Sequence, residues 1–402
     1  MGIGYIQQED LTKNMIHVIS NTEHPYIKSN FLELRKWIKN KSIVTIDSET
    51  RSTDFKDIFQ TEMIMFQIGD EHDQWVIDTR EYNLNLIKDI LESDKILKIQ
   101  HNIKYDYKVL KNYFKIEMNS VWDTLVAEQI IDCGYTRAKG YYSLQSTHQR
   151  YYNTDPYGDQ LSLFDPFIPK NKRNEISKKA NEPFTLEEIF YGATDIITAT
   201  KVFKAQHKIV ESRKQLDLMK LENDFALVLG DCELNGMPIN EDRWRELAKW
   251  SQERSEEELE KLRTLHPEIA NWNSHVQVKN LFRSLGINIS KSIKGEDKDS
   301  IQATNLQKYI DKFDIIPIYL KYKGLEKLRT TYGIKFLENV NSSTGRIHSS
   351  FIQILNTGRT ASTAPNLQNI KSAKPDFPEG AWWREAFMCK DNNVFIISDY
   401  SS

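Results

Sequence analysis

The sequence predicts an α/β domain, a mixed sheet flanked by helices, followed by a mainly helical region and a short further segment. Three observations predict it. Between Phe31 and Asp123, short β-branched runs alternate with helical stretches. From about Leu216 the texture changes to long, charged, periodic helices. A chain of 402 residues, 39% of them hydrophobic, can bury large cores in two or three domains.

Residues 1–28 read as a lead-in and Phe31–Lys39 as a short helix. Ile43–Thr50 (IVTIDSET) is the central strand, mostly β-branched and apolar until it ends in Asp47 and Glu49. Side chains two apart in extended backbone point to one side, so both carboxylates can face a single point. Such a point suits a hard divalent cation, which takes oxygen ligands. Strands Met63–Ile68 and Gln74–Ile77 follow around the turn Gly69–Asp73, completing an antiparallel meander. A helix over Asn83–Leu91 leads to a strand over Ile96–Gln100, and another helix opens after His101 and Asn102. Strand Ser120–Trp122 then delivers Asp123 to the start of the next helix. The order β-β-β-α-β-α-β-α is that of an RNase H-like sheet, a fold often used to seat paired metals.

Composition narrows the class. The net charge of -3 neither demands nor excludes nucleic acid, because local clustering of Lys and Arg decides that. Cys133, Cys232 and Cys389 are far apart and lack zinc-ligand spacing, so reduced thiols are expected. The longest apolar runs, such as Phe225–Leu229 and Val394–Ile397, are too short to cross a bilayer. Glu9 and Asp10 break up the N-terminus, and Ile6 stands where a myristoylation motif wants Ser or Thr. A cytoplasmic protein with no membrane partner is the expectation.

Two further stretches bring polar groups toward the first. QHNIKYDYKVL, Gln100–Leu110, follows a strand and opens a helix, which places Asp106 in the first turns near the strand ends. YGATD, Tyr191–Asp195, lies in a helical run, and residues four apart share a helix face. IDSET, N-x-x-Y-D at Asn102–Asp106 and Y-x-x-x-D at Tyr191–Asp195, taken in that order, resemble the proofreading 3′→5′ exonuclease domain of family A DNA polymerases. The resemblance implies that Asp47, Glu49, Asp106 and Asp195 bind two Mg²⁺ or Mn²⁺ ions, that Tyr191 orients the attacking water, and that Asn102 contacts DNA.

Pro, Asp, Asn and Gly cluster at Asn153–Asp159, and Lys170–Lys179 is strongly basic, so a surface insertion is expected over about 142–184. Within it QLSLF resembles the peptide by which bacterial polymerases dock on a sliding clamp. Leu163 and Phe164 would enter a groove while Gln160 hydrogen-bonds.

Residues 29–212 are thus expected to form the exonuclease domain. Residues 213–345 would form a helical connector and thumb-like region, and 346–402 the first segment of a polymerase palm. ELNGMPIN (Glu233–Asn240) and NWNSHVQVKNLFRSLGI (Asn271–Ile287) resemble the family's connecting segments. Lys321, Lys323, Lys327 and Arg329, on a helix expected over Pro317–Glu338, could grip phosphates. TGR at Thr357–Arg359 and PNLQNI at Pro365–Ile370 resemble the start of the palm. There Arg359, Asn366 and Gln368 would contact primer-template, and Lys371 stands where the family has Pro-x-Arg. FIISDYSS, Phe395–Ser402, is expected as a buried strand whose Asp399 resembles the first palm metal ligand.

The resemblance to the family's later palm and fingers motifs stops there. A split polymerase, a recoded stop in a phage member, or an intron or intein would each account for it. Two other readings remain open: a non-catalytic DNA-holding subunit that joins a C-terminal half and a clamp, and an RNase D-like RNA exonuclease.

Overall fold

The computed structural model describes residues 15–52, 57–133, 135, 137–157, 182–293, 296–373, 378–389 and 392–398. It divides into two compact units, Met1–Gly236 with Ser349–Gln368, and Met237–His348 with Asn369–Ser402.

The first unit is built on a seven-stranded sheet. Its strands are β1 (Met15–Ile19), β2 (Ile27–Lys28), β3 (Ile43–Ser52), β4 (Thr61–Gly69), β5 (Asp73–Asp78), β6 (Leu97–Gln100) and β7 (Val121–Asp123), in spatial order β2-β1-β5-β4-β3-β6-β7. β3, β4 and β5 form the antiparallel meander, and β6 and β7 add in parallel beside β3. Residues 15–28 correct the lead-in: β1 pairs in parallel with both β5 and β2. MIHVI is a single strand with a half-exposed start, so no flanking pattern marks it.

Helices cover both faces. On one lie α1 (Phe31–Ile38), α2 (Lys88–Leu91) and α3 (Ile103–Val109), packed with Val44, Ile46, Phe66 and Ile77. Asn30 and Glu33 close a capping box at the start of α1, satisfying backbone N–H groups the helix leaves open. On the other face lie α4 (Thr124–Ile131) and, after α5 (Leu144–Tyr152), the long α6 (Leu186–Ser212). α7 (Leu216–Asn235), expected to begin the connector, belongs to this unit, with Ala226 in the core beside Tyr107. The hairpin β8 (Ser350–Ile352) and β9 (Ala361–Thr363) also belongs here rather than with the residues after it.

The second unit packs α8 (Glu241–Leu265), α9 (His275–Ser284) and α11 (Ile315–Tyr332), with the short α10 (Ala303–Leu306), around Trp272, Phe282 and Tyr319. The helix expected to run to Glu338 stops at Tyr332 before Gly333, and a 3-10 stretch, Ile334–Asn339, follows. Ser274 caps α9 by accepting from the Gln277 N–H. Trp244, fully buried, stacks on Phe336 with centroids 4.4 Å apart. No helix among the described residues is long and apolar enough to cross a membrane.

Candidate metal centre

β3 places the first two carboxylates. Asp47 stands opposite Gln67 and Glu49 opposite Met65, and the register then slips between Glu49 and Thr50. A bulge at that point bends the strand directly after its second acid, a device that re-aims side chains. Thr45 lies on the same face as Asp47 and hydrogen-bonds Thr200 of α6 at 2.6 Å, so this face looks onto α6. α6 brings Asp195, and one turn earlier Tyr191. Oxygens of Asp47, Glu49 and Asp195 lie within 4.8 Å of one another.

The close approach of α6 rests on Gly192. A Cβ there would stand 2.4 Å from the Gln67 amide nitrogen, and Gln67 is fully buried with no hydrogen-bond partner for either amide atom among the described residues.

Asp106 arrives from the other layer. Between β6 and α3 the chain turns through Asn102 at φ 62°, ψ 47°, a left-handed conformation that Asn tolerates. The buried Asp123 carboxylate accepts the N–H groups of Asn102 at 2.8 Å, Ile103 at 3.0 Å and Leu125 at 2.8 Å, so one side chain caps both α3 and α4. Burial still pushes its pKa up to about 6. Ser48, alternating to the face opposite Asp47, donates its hydroxyl to Asp106. Asp106 is not one of the three acids whose oxygens converge: Ser48 holds it, and the Asp47 charge raises its pKa, while Gln100 reaches Asp47 at 3.5 Å.

The electrostatics favour a cation. Burial pushes Asp47 up to about 7. Glu49, Asp106 and Asp195 are raised well above the usual carboxylate range, by burial first and then by the Asp47 charge. None of the four forms an ion pair among the described residues. Acids in this state stay ionised together only if a cation neutralises them. An all-oxygen, hard donor set fits Mg²⁺ or Mn²⁺.

Tyr157 escaped the sequence reading. Its hydroxyl donates to Asp195, and its ring stacks on Tyr191 with centroids 5.5 Å apart. It follows α5 in irregular chain, where no periodicity announces a partner.

The other expected residues lie elsewhere. Arg359 is exposed in the turn of the β8–β9 hairpin, where Gly358 takes φ +74° and the Leu355 N–H bonds the Arg359 carbonyl at 2.9 Å. Asn366 is exposed, and the Gln368 side chain accepts the Ser362 N–H at 2.9 Å, bracing the hairpin. Lys371 falls in the second unit. Gln160, Leu163, Phe164 and Asp399 lie outside the described residues.

Two expectations need correction. The strand expected over Phe395–Ser402 is absent as far as residue 398: Ile396 and Ile397 are about nine-tenths exposed and outside any ladder. A buried strand needs paired neighbours and a covered face, and the described residues supply neither. On α11, Lys321 pairs with the buried Glu258 at 3.2 Å, Lys323 donates to Asn273 and Arg329 grips Glu326. Those three bases are engaged within their own unit, which argues against an open phosphate grip.

Residues 23–211 match the family model for 3′-5′ exonuclease, and residues 241–402 match that for DNA polymerase family A. The chain is 27% identical to DNA polymerase I of Borreliella burgdorferi over 92% of its own length and 39% of that protein. It is 34% identical to DNA polymerase I of Bacillus subtilis over 48% of its length and 22% of that protein. It thus spans about two fifths, or less, of the length of these relatives. Among solved structures, the POL domain of Pol1 from M. smegmatis, in complex with DNA primer-template and dNTP, superposes with a TM-score of 0.72 at 18% identity. That match covers 94% of this chain and 59% of that one, and it shows the shared fold.

Proposed function

Because the chain belongs to DNA polymerase family A and carries a 3′-5′ exonuclease domain, we propose that its first unit hydrolyses the 3′ ends of DNA with the help of divalent metal. The observation that carries the reading is the convergence of Asp47, Glu49 and Asp195 within 4.8 Å. With Asp106 they would hold two Mg²⁺ or Mn²⁺ ions. When bound, such ions lower the pKa of water and stabilise the leaving 3′ oxygen.

The chain's own residues do the rest. Ser48 and Gln100 orient Asp106 and Asp47 before metal arrives. Tyr191, one helical turn from Asp195, is placed to orient the attacking water. Burial and the Asp195 charge raise its pKa far above the ordinary phenol range, so its hydroxyl stays protonated and can donate. Substrates are single-stranded 3′ ends and primer-template, reached in the cytoplasm. Arg359, Asn366, Gln368, Lys371 and Asn102 supply backbone and groove contacts. Polymerisation belongs to the whole protein, completed by a C-terminal palm part with Asp399, and QLSLF offers a clamp contact.

The test is digestion of a 3′-labelled single-stranded oligonucleotide by the purified chain with Mg²⁺, beside an Asp47→Ala/Glu49→Ala control. Stepwise shortening that the control lacks is the expected result. Intact DNA with binding preserved would favour the DNA-holding reading, and preference for RNA the RNase D-like one.

A further inference from the structure

α3 and the π-helical turn that continues it, Leu110–Phe114, present Lys104, Lys108 and Lys111 at successive turns, a stripe that in a sequence looks like a phosphate-binding face. In the fold it faces inward, toward the end of α7. Lys111 and Tyr107 engage Asp231 at 2.7 and 2.9 Å. Lys104 and Lys108 both engage Glu233, Lys104 at 2.6 Å. Glu233 is 4% exposed, so its charge needs partners, and these ammonium groups supply them.

The same ion pair reaches a third element. The Glu233 carboxylate accepts the backbone N–H of Phe351 at 2.7 Å, and the Lys104 ammonium donates to the backbone carbonyl of Phe351. Phe351 is the middle residue of β8, and its ladder partner is Ser362 on β9. Both polar groups on one residue of a two-stranded hairpin are thus met by two side chains of opposite charge. Glu233 and Lys104 stand where a third strand would stand. Gln353 adds a second tie, donating to the Glu222 carbonyl of α7 at 2.7 Å.

We propose that Glu233, with Lys104 and Lys108, is a positioning joint that fixes the hairpin bearing Arg359 to the helix bearing Asp106. The duplex-gripping turn and the cutting carboxylates then move as one body. The joint rests on the proposed exonuclease reading. It predicts that a 3′ end flanked by duplex is presented to the acids by the hairpin, whereas a single strand needs no such guide. Glu233, Lys104 and Lys108 are positioning residues: their charged groups are engaged with one another and with the Phe351 backbone.

Glu233→Gln alone would leave Lys104 and Lys108 facing each other without a counter-charge. The decisive variant is therefore Glu233→Gln/Lys104→Met/Lys108→Met, which removes all three charges and keeps side-chain length. Three readouts on the full chain separate the outcomes. Hydrogen exchange of the peptide over Ser349–Gln353 should accelerate at least about tenfold in the triple variant, with the α6 peptides unchanged. Binding of primer-template, by fluorescence anisotropy in EDTA, should weaken about fivefold or more, with single-stranded binding within twofold. With Mg²⁺, KM for a mismatched primer-template should rise by a similar factor while kcat on a single strand is kept. Unchanged exchange would overturn the joint, and so would faster exchange with equal effects on both DNAs. A wild-type chain that cuts neither DNA would remove the exonuclease reading instead, and the exchange and EDTA binding arms would still decide the joint.

Discussion

Tyr157 and Tyr191 stack with their ring planes 21° from parallel, and both hydroxyls bear on Asp195. The Tyr157 bond favours the ionised carboxylate, opposing the burial that raises its pKa. Tyr157→Phe keeps the stack and removes the donor. Asp195 should then hold its proton more tightly. We expect Mn²⁺ affinity of the variant to fall several-fold at pH 7 and to recover as the pH is raised. Isothermal titration at a series of pH values reads it, and an unchanged pH profile would sink the assignment.

Asp47→Ala and Asp195→Ala should each lower 3′-end hydrolysis by about 10²-fold or more, because each would delete a ligand from the proposed shared site. Each removes one of two mutually repelling acids, half-buried Asp47 or buried Asp195, so the metal-free melting temperature should stay level or rise. A variant that loses activity and also melts well below wild type would mean that folding, not chemistry, was damaged.

The pH dependence of stability has a definite sign. Asp47 is displaced from an ordinary value near 4 up to about 7, so between those values the folded chain binds more protons than the unfolded one. Its contribution is complete below the unfolded pKa and is lost as pH rises through 7. Glu49, Asp106 and Asp195 act in the same direction. The metal-free chain should melt roughly 3–6 °C lower at pH 8 than at pH 6. Saturating Mg²⁺ or Asp47→Asn should flatten that slope, and scanning calorimetry in EDTA and in Mg²⁺ provides the comparison.

Gly192→Ala should destabilise the first unit by about 1–3 kcal/mol, since the new methyl group meets the fully buried Gln67 side chain at 2.4 Å. Gln67→Ala should recover much of the loss, giving a coupling energy of about 1 kcal/mol or more in a double-mutant cycle. Additive effects would show that the two residues do not share the space.

Much of the site was legible because it obeys simple periods. Asp47 and Glu49 follow the two-residue period of a strand, and Tyr191 and Asp195 the four-residue spacing of a helix. What was not legible depends on long-range contact. Tyr157 comes from irregular chain after α5, and Gln67 is a lone buried amide inside an apolar strand. The lysine stripe of α3 reads alike whether it faces DNA or Glu233. Phe395–Ile397 shows the opposite failure: local propensity announces a strand, but a strand forms only against neighbours. The sheet itself was largely anticipated from Ile43 to Asp123, and β1 was lost because one short strand carries no pattern of its own.

The passage of the chain through the candidate metal centre has a consequence during synthesis. Asp47 and Glu49 sit on a strand that can pair with β4 as soon as both leave the ribosome, and Asp106 follows within the same local fold. Asp195 emerges far later, on a helix that must dock across the finished sheet. A nascent chain therefore has no complete set of acids while the first half of the unit matures. Competence to cut should appear abruptly once α6 is released, and not gradually with length.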